Sequence, residues 1–212
     1  MSAPRWVFIG DSITDADRRE DAQGYGDGYV ARLREQLLVN DPACRTAFLN
    51  RGVGGDTVRH LMRRWHRDAT ALRPDLLSVK IGVNDVWRAF SGRPEEAVGA
   101  DEYRAVLRGL LGEASALECR LVLITPFLVE PDRRDRMRLD VERRAGIVSE
   151  LAAEFGAALV DLQPAFDAAM AASSPEVWAP DRVHPSGPGH LLIARTWLGT
   201  VNAASGNASP VR

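Results

Sequence analysis

The sequence predicts an α/β fold in which a five-stranded parallel sheet is covered by helices on both faces. Two observations lead to this prediction. Short apolar runs alternate with amphipathic stretches along the chain, and turn residues bound each run, as expected for buried parallel strands. The 212 residues suit one domain with a full hydrophobic core. We expect a single domain over residues 1–202 and a small, polar tail that frays at 203–212.

Each element follows from its own pattern. The apolar runs predict strands at residues 5–9, 47–50, 76–81, 120–125 and 158–162. Between them, apolar residues at the spacing i, i+3, i+4, i+7 predict helices, most clearly from Val58 to Leu72, before Pro74, and from Tyr103 to Leu117. Further helices are predicted at about 28–40, 136–155 and 188–202.

The composition excludes several classes of partner. A net charge of −2 with no basic face argues against nucleic acid and anionic membranes. No run approaches the roughly 18 apolar residues of a membrane span, and no signal-like segment precedes the first strand, so we expect a soluble, cytoplasmic protein. Cys44 and Cys119 have no metal-ligand spacing. Two reduced thiols are the simplest expectation, and a single disulfide stays open.

Polar, glycine-bearing segments follow the first three predicted strands. Their sequences are GDS at 10–12, NRGVGGDT at 50–57 and GVNDVW at 82–87. Ligands of open parallel sheets bind outside the carboxyl ends of the strands, so these segments are expected at one edge of the sheet. Ser12 is therefore either part of a simple turn or a nucleophile held at a strand end.

A serine nucleophile needs a base, usually histidine, that a carboxylate orients. The histidines of the chain are His60, His66, His184 and His190. The first two lie inside a predicted helix and the last begins one, which favours structural roles for these three. His184 instead follows Asp181 by three residues in a loop rich in proline and glycine, where the two can face each other. Simple loop polarity is the alternative for this pair.

A tetrahedral intermediate also needs hydrogen-bond donors for its oxyanion. Gly55 can bring its backbone N–H close to a ligand, because no Cβ blocks the approach. Asn84 offers a side-chain amide after the third strand. The alternatives are a tight turn at Gly55 and an Asx-turn at Asn84. Together with Ser12, Asp181 and His184, these residues nevertheless make a complete set for acyl transfer.

Four segments together resemble the motif blocks of the SGNH hydrolases, also called GDSL esterases, in order and spacing. The segments are GDSITD, NRGVGGDT, IGVNDVW and DRVHPSGPGH, and they lie between residues 8 and 190. The resemblance implies a flavodoxin-like, three-layer α/β/α sandwich and no cofactor or metal. It implies Ser12 as nucleophile, with Asp181 and His184 completing the triad. It also implies an oxyanion hole formed by the Ser12 N–H, Gly55 and Asn84.

Within that family, the chain is most similar to single-domain acetylxylan esterases, on the segments GYGDGYV, GVNDVWR, TPFLVEP and RVHPSGPGH. Those relatives tend to carry tryptophan directly before the triad aspartate. Here Trp178 lies three residues before Asp181, with Ala179 and Pro180 between, so we expect the acyl or sugar subsite to differ. Candidate substrate-binding residues are Asp11, Trp87 and Trp178. Trp87 is equally compatible with core packing.

The sequence thus predicts a serine esterase that deacetylates carbohydrates or similar short-acyl esters. A broader lysophospholipase, thioesterase or arylesterase on the same residues is the first alternative. A carbohydrate-binding module is the non-enzymatic one, which the intact Ser12, Asp181 and His184 disfavour. No H-E-x-x-H motif supports a metal hydrolase. The expected partner is a small ester such as an acetylated oligosaccharide, and the resemblance is compatible with a homo-oligomer.

Overall fold

The computed structural model describes residues 3–205 and contains a five-stranded sheet. Its strands are β1 (Arg5–Gly10), β2 (Ala47–Gly52), β3 (Leu76–Lys80), β4 (Arg120–Ile124) and β5 (Ala158–Val160). All neighbouring strands are parallel, in the order β2-β1-β3-β4-β5. The chain thus leaves β1 toward one side, for β2, and then crosses to the other side, for β3. This change of direction at β1 opens a crevice at the carboxyl edge of the sheet.

Helices connect the strands and cover both faces of the sheet. They are α1 (Ser12–Asp15), α2 (Tyr29–Asn40), α3 (Val58–Asp68), α4 (Val83–Phe90), α5 (Ala100–Ser115), α6 (Arg136–Glu154), α7 (Gln163–Ala172) and α8 (Gly187–Ser205). Short 3-10 helices lie at Thr70–Leu72, Pro94–Glu96 and Pro175–Val177. The arrangement confirms the predicted α/β sandwich with a five-stranded parallel sheet.

The two faces of β1 belong to two separate hydrophobic cores. Because side chains alternate along a strand, Trp6 and Phe8 pack on one face and Val7 and Ile9 on the other. The first core also contains residues of α2 and α8, among them Tyr29, Leu33, Ile193 and Trp197. The second contains residues of α3 and α5, among them Leu61, Trp65, Leu107 and Leu111. A strand buried on both faces is fixed in position, and so is the loop that follows it.

All five predicted strands are present, with ends shifted by up to two residues. The helices α1, α4 and α7 were missed, because each is short and two of them carry polar residues at the sheet edge. The predicted helix before Pro74 ends at Asp68 and continues as a 3-10 turn. The helix α8 extends to Ser205, three residues into the predicted tail, and the fraying of that tail stays a prediction. Residues 206–212 lie outside the described part of the chain.

Two further expectations bear on the whole chain. Cys44 and Cys119 are both free thiols, which resolves the open question of a disulfide. Within residues 3–205, no helix combines the length and the apolar character needed to cross a membrane.

Candidate active site

Ser12 is the first residue of α1, immediately after β1 and its capping residue Asp11. The Asp11 carboxylate accepts a hydrogen bond from the Ile13 N–H at 3.0 Å and so caps this one-turn helix. A Cβ on Gly10 would lie 2.2 Å from the Lys80 carbonyl oxygen, so the strand can approach β3 this closely only with glycine there. The tight strand-to-helix turn leaves the Ser12 side chain half-buried at the crevice.

A continuous line of hydrogen bonds joins Ser12, His184 and Asp181. Ser12 Oγ lies 3.0 Å from His184 Nε2, and His184 Nδ1 lies 2.6 Å from Asp181 Oδ2. With Nδ1–H donating to the carboxylate, Nε2 is left as the acceptor for the serine hydroxyl. The three residues that the sequence singled out are therefore brought together in the order that nucleophilic catalysis needs.

The Asp181 carboxylate also organises the loop that carries His184. Its Oδ1 accepts the backbone N–H groups of His184 at 2.7 Å and Val183 at 3.0 Å. Burial raises the pKa of Asp181, but the hydrogen bonds from the His184 ring and from the two backbone N–H groups outweigh burial, and its pKa is lowered. The carboxylate is thus ionised at neutral pH and able to stabilise a protonated His184.

The predicted donors for an oxyanion have N–H groups that are not all used elsewhere. Among the described residues, the backbone N–H groups of Ser12 and Gly55 donate to no other group. The buried Asn84 uses one amide hydrogen on the Asp56 carbonyl oxygen, at 3.0 Å, and retains the second. A Cβ on Gly54 would lie 4.0 Å from the Ser12 Cβ, so this loop lies directly against the serine.

The helix α4 carries Asn84 to this edge of the sheet. It begins after Gly82, whose φ is +130° and where a Cβ would lie 2.8 Å from the Tyr103 hydroxyl. Only glycine tolerates both conditions. Asp85 follows Asn84 and accepts the Val58 N–H at 2.9 Å, which connects α4 to the start of α3. Burial raises the pKa of the Asp85 carboxyl to about 7 against this hydrogen bond.

Trp87 lies on the same helix and contacts the His184 ring edge-on, with the ring centroids 5.5 Å apart. Its side chain is half-buried and also packs against the first core. Both predicted alternatives for Trp87, a platform at the site and core packing, are therefore compatible with its position. The contact limits the orientations that the His184 ring can adopt.

A cleft of about 520 Å³ opens beside Ser12 and His184. Charged side chains that line it are Asp15, Asp17, Asp27 and Arg32, and small residues such as Ala16, Gly54 and Gly187 complete its walls. His190 also lines the cleft and accepts the Tyr29 N–H at Nδ1, at 3.1 Å. Burial lowers the pKa of His190 to about 4, and the nearby charges of Lys80 and Arg32 act in the same direction.

None of the three candidate substrate-binding residues, Asp11, Trp87 and Trp178, is among the described residues that line this cleft. Asp11 has no exposed surface, and its Oδ2 lies 3.4 Å from the equally buried Lys80 Nζ. The prediction that Asp11 contacts substrate does not fit this burial, because no ligand can reach the carboxylate. The Trp178 indole N–H donates to Ser173 at 2.8 Å, and Trp178 is not among the described residues that line the cleft.

The remaining histidines have the structural partners that their helical positions indicated. His60 forms a capping box with Thr57 at the start of α3. His66 lies within hydrogen-bonding distance of Thr70, with Nδ1 and Oγ1 3.1 Å apart. Among the described residues, neither histidine is hydrogen-bonded to Ser12.

Sequence reasoning missed two charged residues that support the site. Lys80 is fully buried behind Asp11, and burial lowers its pKa although the charge of Asp11 opposes this. Its signal was a lysine within a strand that is apolar apart from Ser78. Arg88 Nη2 donates to the Gly55 carbonyl oxygen at 2.8 Å. Its signal was the spacing of four residues from Asn84 on one helix face.

The chain is similar over nearly its whole length to known esterases. Residues 8–192 match the GDSL-like Lipase/Acylhydrolase family. The acetylxylan esterase of Geobacillus stearothermophilus is 39% identical over 204 residues, which is 93% of each chain. The crystal structure of Axe2, an acetylxylan esterase from the same organism, superposes with a TM-score of 0.90 at 38% identity, covering 94% of both chains. LAE5, an α/β hydrolase enzyme from the metagenome of Lake Arreo, Spain, has a TM-score of 0.90 at 36% identity, covering 94% of this chain and 96% of its own.

Solved variants of Axe2 identify residues of that enzyme that resemble residues of this chain in type and spacing. Three solved variants, each described as a catalytic mutant, replace one serine, one aspartate and one histidine by alanine. In Axe2 the histidine follows the aspartate by three residues, the same spacing that separates His184 from Asp181. A further variant replaces the tryptophan directly before that aspartate, where this chain has Pro180.

Proposed function

Since the chain belongs to the GDSL-like lipase/acylhydrolase family, we propose that it is a serine esterase that removes acetyl groups from carbohydrate esters through an acyl-enzyme on Ser12. The family and the 39% identical acetylxylan esterase agree with the resemblance to SGNH esterases found in the sequence. The observation that carries the proposal is the line of hydrogen bonds from Ser12 through His184 to Asp181.

In the first half of the reaction, Ser12 Oγ attacks the acetyl carbonyl carbon while His184 Nε2 accepts the serine proton. The imidazolium that forms is stabilised by the ionised Asp181. Negative charge develops on the carbonyl oxygen, and the N–H groups of Ser12 and Gly55 and the free Asn84 amide hydrogen donate to it. The bond from carbon to the sugar oxygen then breaks, and His184 returns the proton to that oxygen.

The second half repeats these roles with water. His184 accepts a proton from water as the water oxygen attacks the acetyl carbon of the acyl-enzyme. The same donors stabilise the second tetrahedral intermediate. When the bond from carbon to Ser12 Oγ breaks, the serine recovers its proton from His184 and acetate leaves. No step of this sequence needs a metal or a cofactor.

The lining of the cleft supports a hydroxyl-rich leaving group. Carboxylates such as Asp17 and Asp27 accept hydrogen bonds from sugar hydroxyls, and Arg32 can donate to them. A long hydrocarbon chain in this cleft would instead desolvate charged groups without replacing their hydrogen bonds. Acetylated xylo-oligosaccharides are therefore the preferred substrate class, in agreement with the name of the 39% identical relative.

Pro180 supports a second candidate, an esterase with a wider range of acyl groups. The residue directly before the triad aspartate is tryptophan in Axe2 and proline here, and proline is the smaller side chain. On this hypothesis, the same residues hydrolyse propionyl and butyryl esters as well as acetyl esters.

One experiment tests both candidates. Acetate release from acetylated xylo-oligosaccharides is compared with hydrolysis of 4-nitrophenyl esters of two to eight carbons, with and without a chelator and with Ser12→Ala as control. We expect kcat/KM to be highest for acetyl esters and unaffected by the chelator. Comparable kcat/KM values for acetyl, propionyl and butyryl esters would instead support the second candidate, and rates that rise toward eight carbons would support a lipase-like esterase. An active Ser12→Ala would contradict the serine mechanism.

A further inference from the structure

The loop that contributes Gly55 is held by two side chains of one helix. Arg88 Nη2 donates to the Gly55 carbonyl oxygen at 2.8 Å, and Asn84 Nδ2 donates to the next one, of Asp56, at 3.0 Å. Residues four apart lie on one face of a helix, so α4 presents both donors to consecutive peptide groups. The role proposed for Asn84 thus has a neighbour in Arg88 that contacts the same loop.

The peptide group between Gly54 and Gly55 carries the N–H that is proposed to meet the oxyanion. Within the described residues, neither that N–H nor the Gly54 carbonyl oxygen has a hydrogen-bond partner. Glycine lies on both sides of this peptide group, and Gly55 has a φ of +80°. Glycine permits many backbone conformations, so nothing within the peptide group itself prevents it from rotating and turning the N–H away.

The neighbouring peptide groups on either side are fixed. On one side, the Gly54 N–H donates to Asp15 Oδ2 at 3.0 Å. On the other, the Gly55 carbonyl oxygen accepts from Arg88, and the Asp56 N–H donates to the Val53 carbonyl oxygen at 3.3 Å. A rotation of the central peptide group requires compensating changes in the dihedral angles of both glycines. The restraints from Asp15 and Arg88 oppose those changes.

The environment of Arg88 suits such a restraint. Its side chain is 11% exposed, and its Nε lies 3.3 Å from Glu96 Oε2, which makes an ion pair without a hydrogen bond, so the contact with the Gly55 carbonyl oxygen is the hydrogen bond that fixes the guanidinium. A Cβ on Gly55 would lie 3.0 Å from Arg88 Nη2, which shows how closely the guanidinium packs on the loop. Arg93 contacts the same carboxylate at 3.6 Å but is half exposed, and among the described residues no hydrogen bond or ion pair joins its side chain to the Gly55 loop.

We propose that Arg88 is a positioning residue for the oxyanion hole: through the Gly55 carbonyl oxygen, it keeps the Gly54–Gly55 peptide group turned with its N–H toward the ester carbonyl. Arg88 does not touch the substrate. The inference rests on the proposed esterase function, because it concerns a donor that acts only when an oxyanion forms. Its effect belongs in kcat, since the ground-state carbonyl depends little on this donor.

Arg88→Met and Arg88→Lys test the proposal, with Arg93→Met as the matched control that removes the other arginine on Glu96. For each purified protein, kcat and KM are measured on 4-nitrophenyl acetate together with the melting temperature. Because small displacements of an oriented group cost up to about 100-fold in rate, Arg88→Met should lower kcat by about 10- to 100-fold. KM should change by less than about threefold, and Arg88→Lys should recover part of the loss because its ammonium group still donates.

Affinity for a phenylboronic acid gives a second readout that a purely structural role does not change. This inhibitor forms a tetrahedral adduct on a reactive serine, so its affinity should fall in parallel with kcat in the two Arg88 variants and not in Arg93→Met. If Arg88→Met does not fold, the same comparison of kcat and inhibitor affinity is made with Arg88→Lys and with Glu96→Gln, which weakens the support of Arg88.

The outcomes separate the two claims. A wild-type protein that hydrolyses no acetyl ester contradicts the proposed function and this inference with it. If the wild type is active, two results would overturn the role of Arg88 alone. In the first, Arg88→Met keeps its kcat per folded molecule. In the second, it loses affinity for substrate and boronate equally. An equal loss of kcat in Arg93→Met would likewise assign the effect to Glu96 rather than to the Gly55 contact.

Discussion

Ser12 Oγ lies 3.0 Å from His184 Nε2, although 172 residues separate the two along the chain. The serine is fixed by its place at the end of a strand buried on both faces. The histidine belongs to a loop before α8 that Asp181 organises through its backbone N–H groups. The contact therefore depends on the whole sheet, and it gives a direct means of testing the chemistry.

Replacing Ser12 by alanine should remove the activity and leave the fold intact. The half-buried hydroxyl contributes one hydrogen bond to His184, so the melting temperature should change little, whereas kcat should fall by several orders of magnitude, roughly 10³-fold or more. A serine-directed phosphonate should label Ser12 in the wild type, as seen by mass spectrometry of peptides. Ser149→Ala, at an exposed serine of α6, is the control. Near-normal turnover by Ser12→Ala would reject the mechanism.

The sequence was sufficient to predict the elements whose burial is continuous along the chain. The run at 76–81 has no polar residue other than Ser78 and Lys80, and it forms the central strand β3. The helix α4 escaped prediction because it is only eight residues long and its first turn carries two polar residues, Asn84 and Asp85. The local hydrophobic pattern predicts a helix poorly where its side chains contact other parts of the molecule.

For the site, the residue types and the pairing of Asp181 with His184 were predictable, and the buried contacts behind the site were not. The segments around Ser12, Asn84 and His184 indicated their chemistry, since each follows a strand or lies in a loop. The burial of Asp11 was not apparent, because its partner Lys80 lies 69 residues away and only the parallel register of β1 and β3 brings them together. An acid next to a serine at a strand end has the same local sequence whether it faces solvent or a buried lysine.

Lys80→Met should be strongly destabilising, because it leaves the Asp11 carboxylate buried without its counter-charge. Removing one partner of a buried ion pair costs about 3–5 kcal/mol. The double variant Lys80→Met with Asp11→Asn removes both charges and keeps a capping side chain, so it should be more stable than Lys80→Met alone. Urea unfolding of the single and double variants measures the coupling.

The exposed ion pair Arg104–Glu150 provides the control for this comparison of single and double variants. Arg104→Met should lower the free energy of unfolding by no more than about 1 kcal/mol, as is usual for surface ion pairs. Strictly additive losses in the Lys80 and Asp11 variants would contradict an energetic coupling between the two.

His190 should make the protein less stable as the pH falls from about 6.5 toward 4. The pKa of His190 in the folded protein is about 4, below its ordinary value of 6.5, because burial and the charges of Lys80, Arg32 and His184 disfavour the imidazolium. Between these two values the unfolded chain binds the extra proton and the folded one does not, so protonation favours unfolding. The stability that neutral His190 supports is fully present above pH 6.5 and falls by about 3 kcal/mol at most by pH 4.

His190→Gln tests this pH dependence, because its amide oxygen can still accept the Tyr29 N–H but does not titrate. The difference in free energy of unfolding between wild type and variant should shrink as the pH falls from 7 to 4.5, by urea titration at each pH. His66→Gln, at an exposed histidine of α3, should show no such convergence. A difference for His190→Gln that is constant with pH would show that His190 does not titrate in this range.

Asn84→Ala separates two roles of one amide. Loss of the hydrogen bond to the buried Asp56 carbonyl oxygen should lower the free energy of unfolding by about 1–3 kcal/mol. Loss of the second hydrogen, which is free to meet an oxyanion, should lower kcat by about 10²–10³-fold while KM changes little, because that interaction strengthens only as charge develops on the carbonyl oxygen. A residue that only shapes the loop would produce the first effect without the second. Measuring melting temperature and kcat on one preparation distinguishes these cases, and a destabilised variant with full turnover per folded molecule would remove Asn84 from the oxyanion hole.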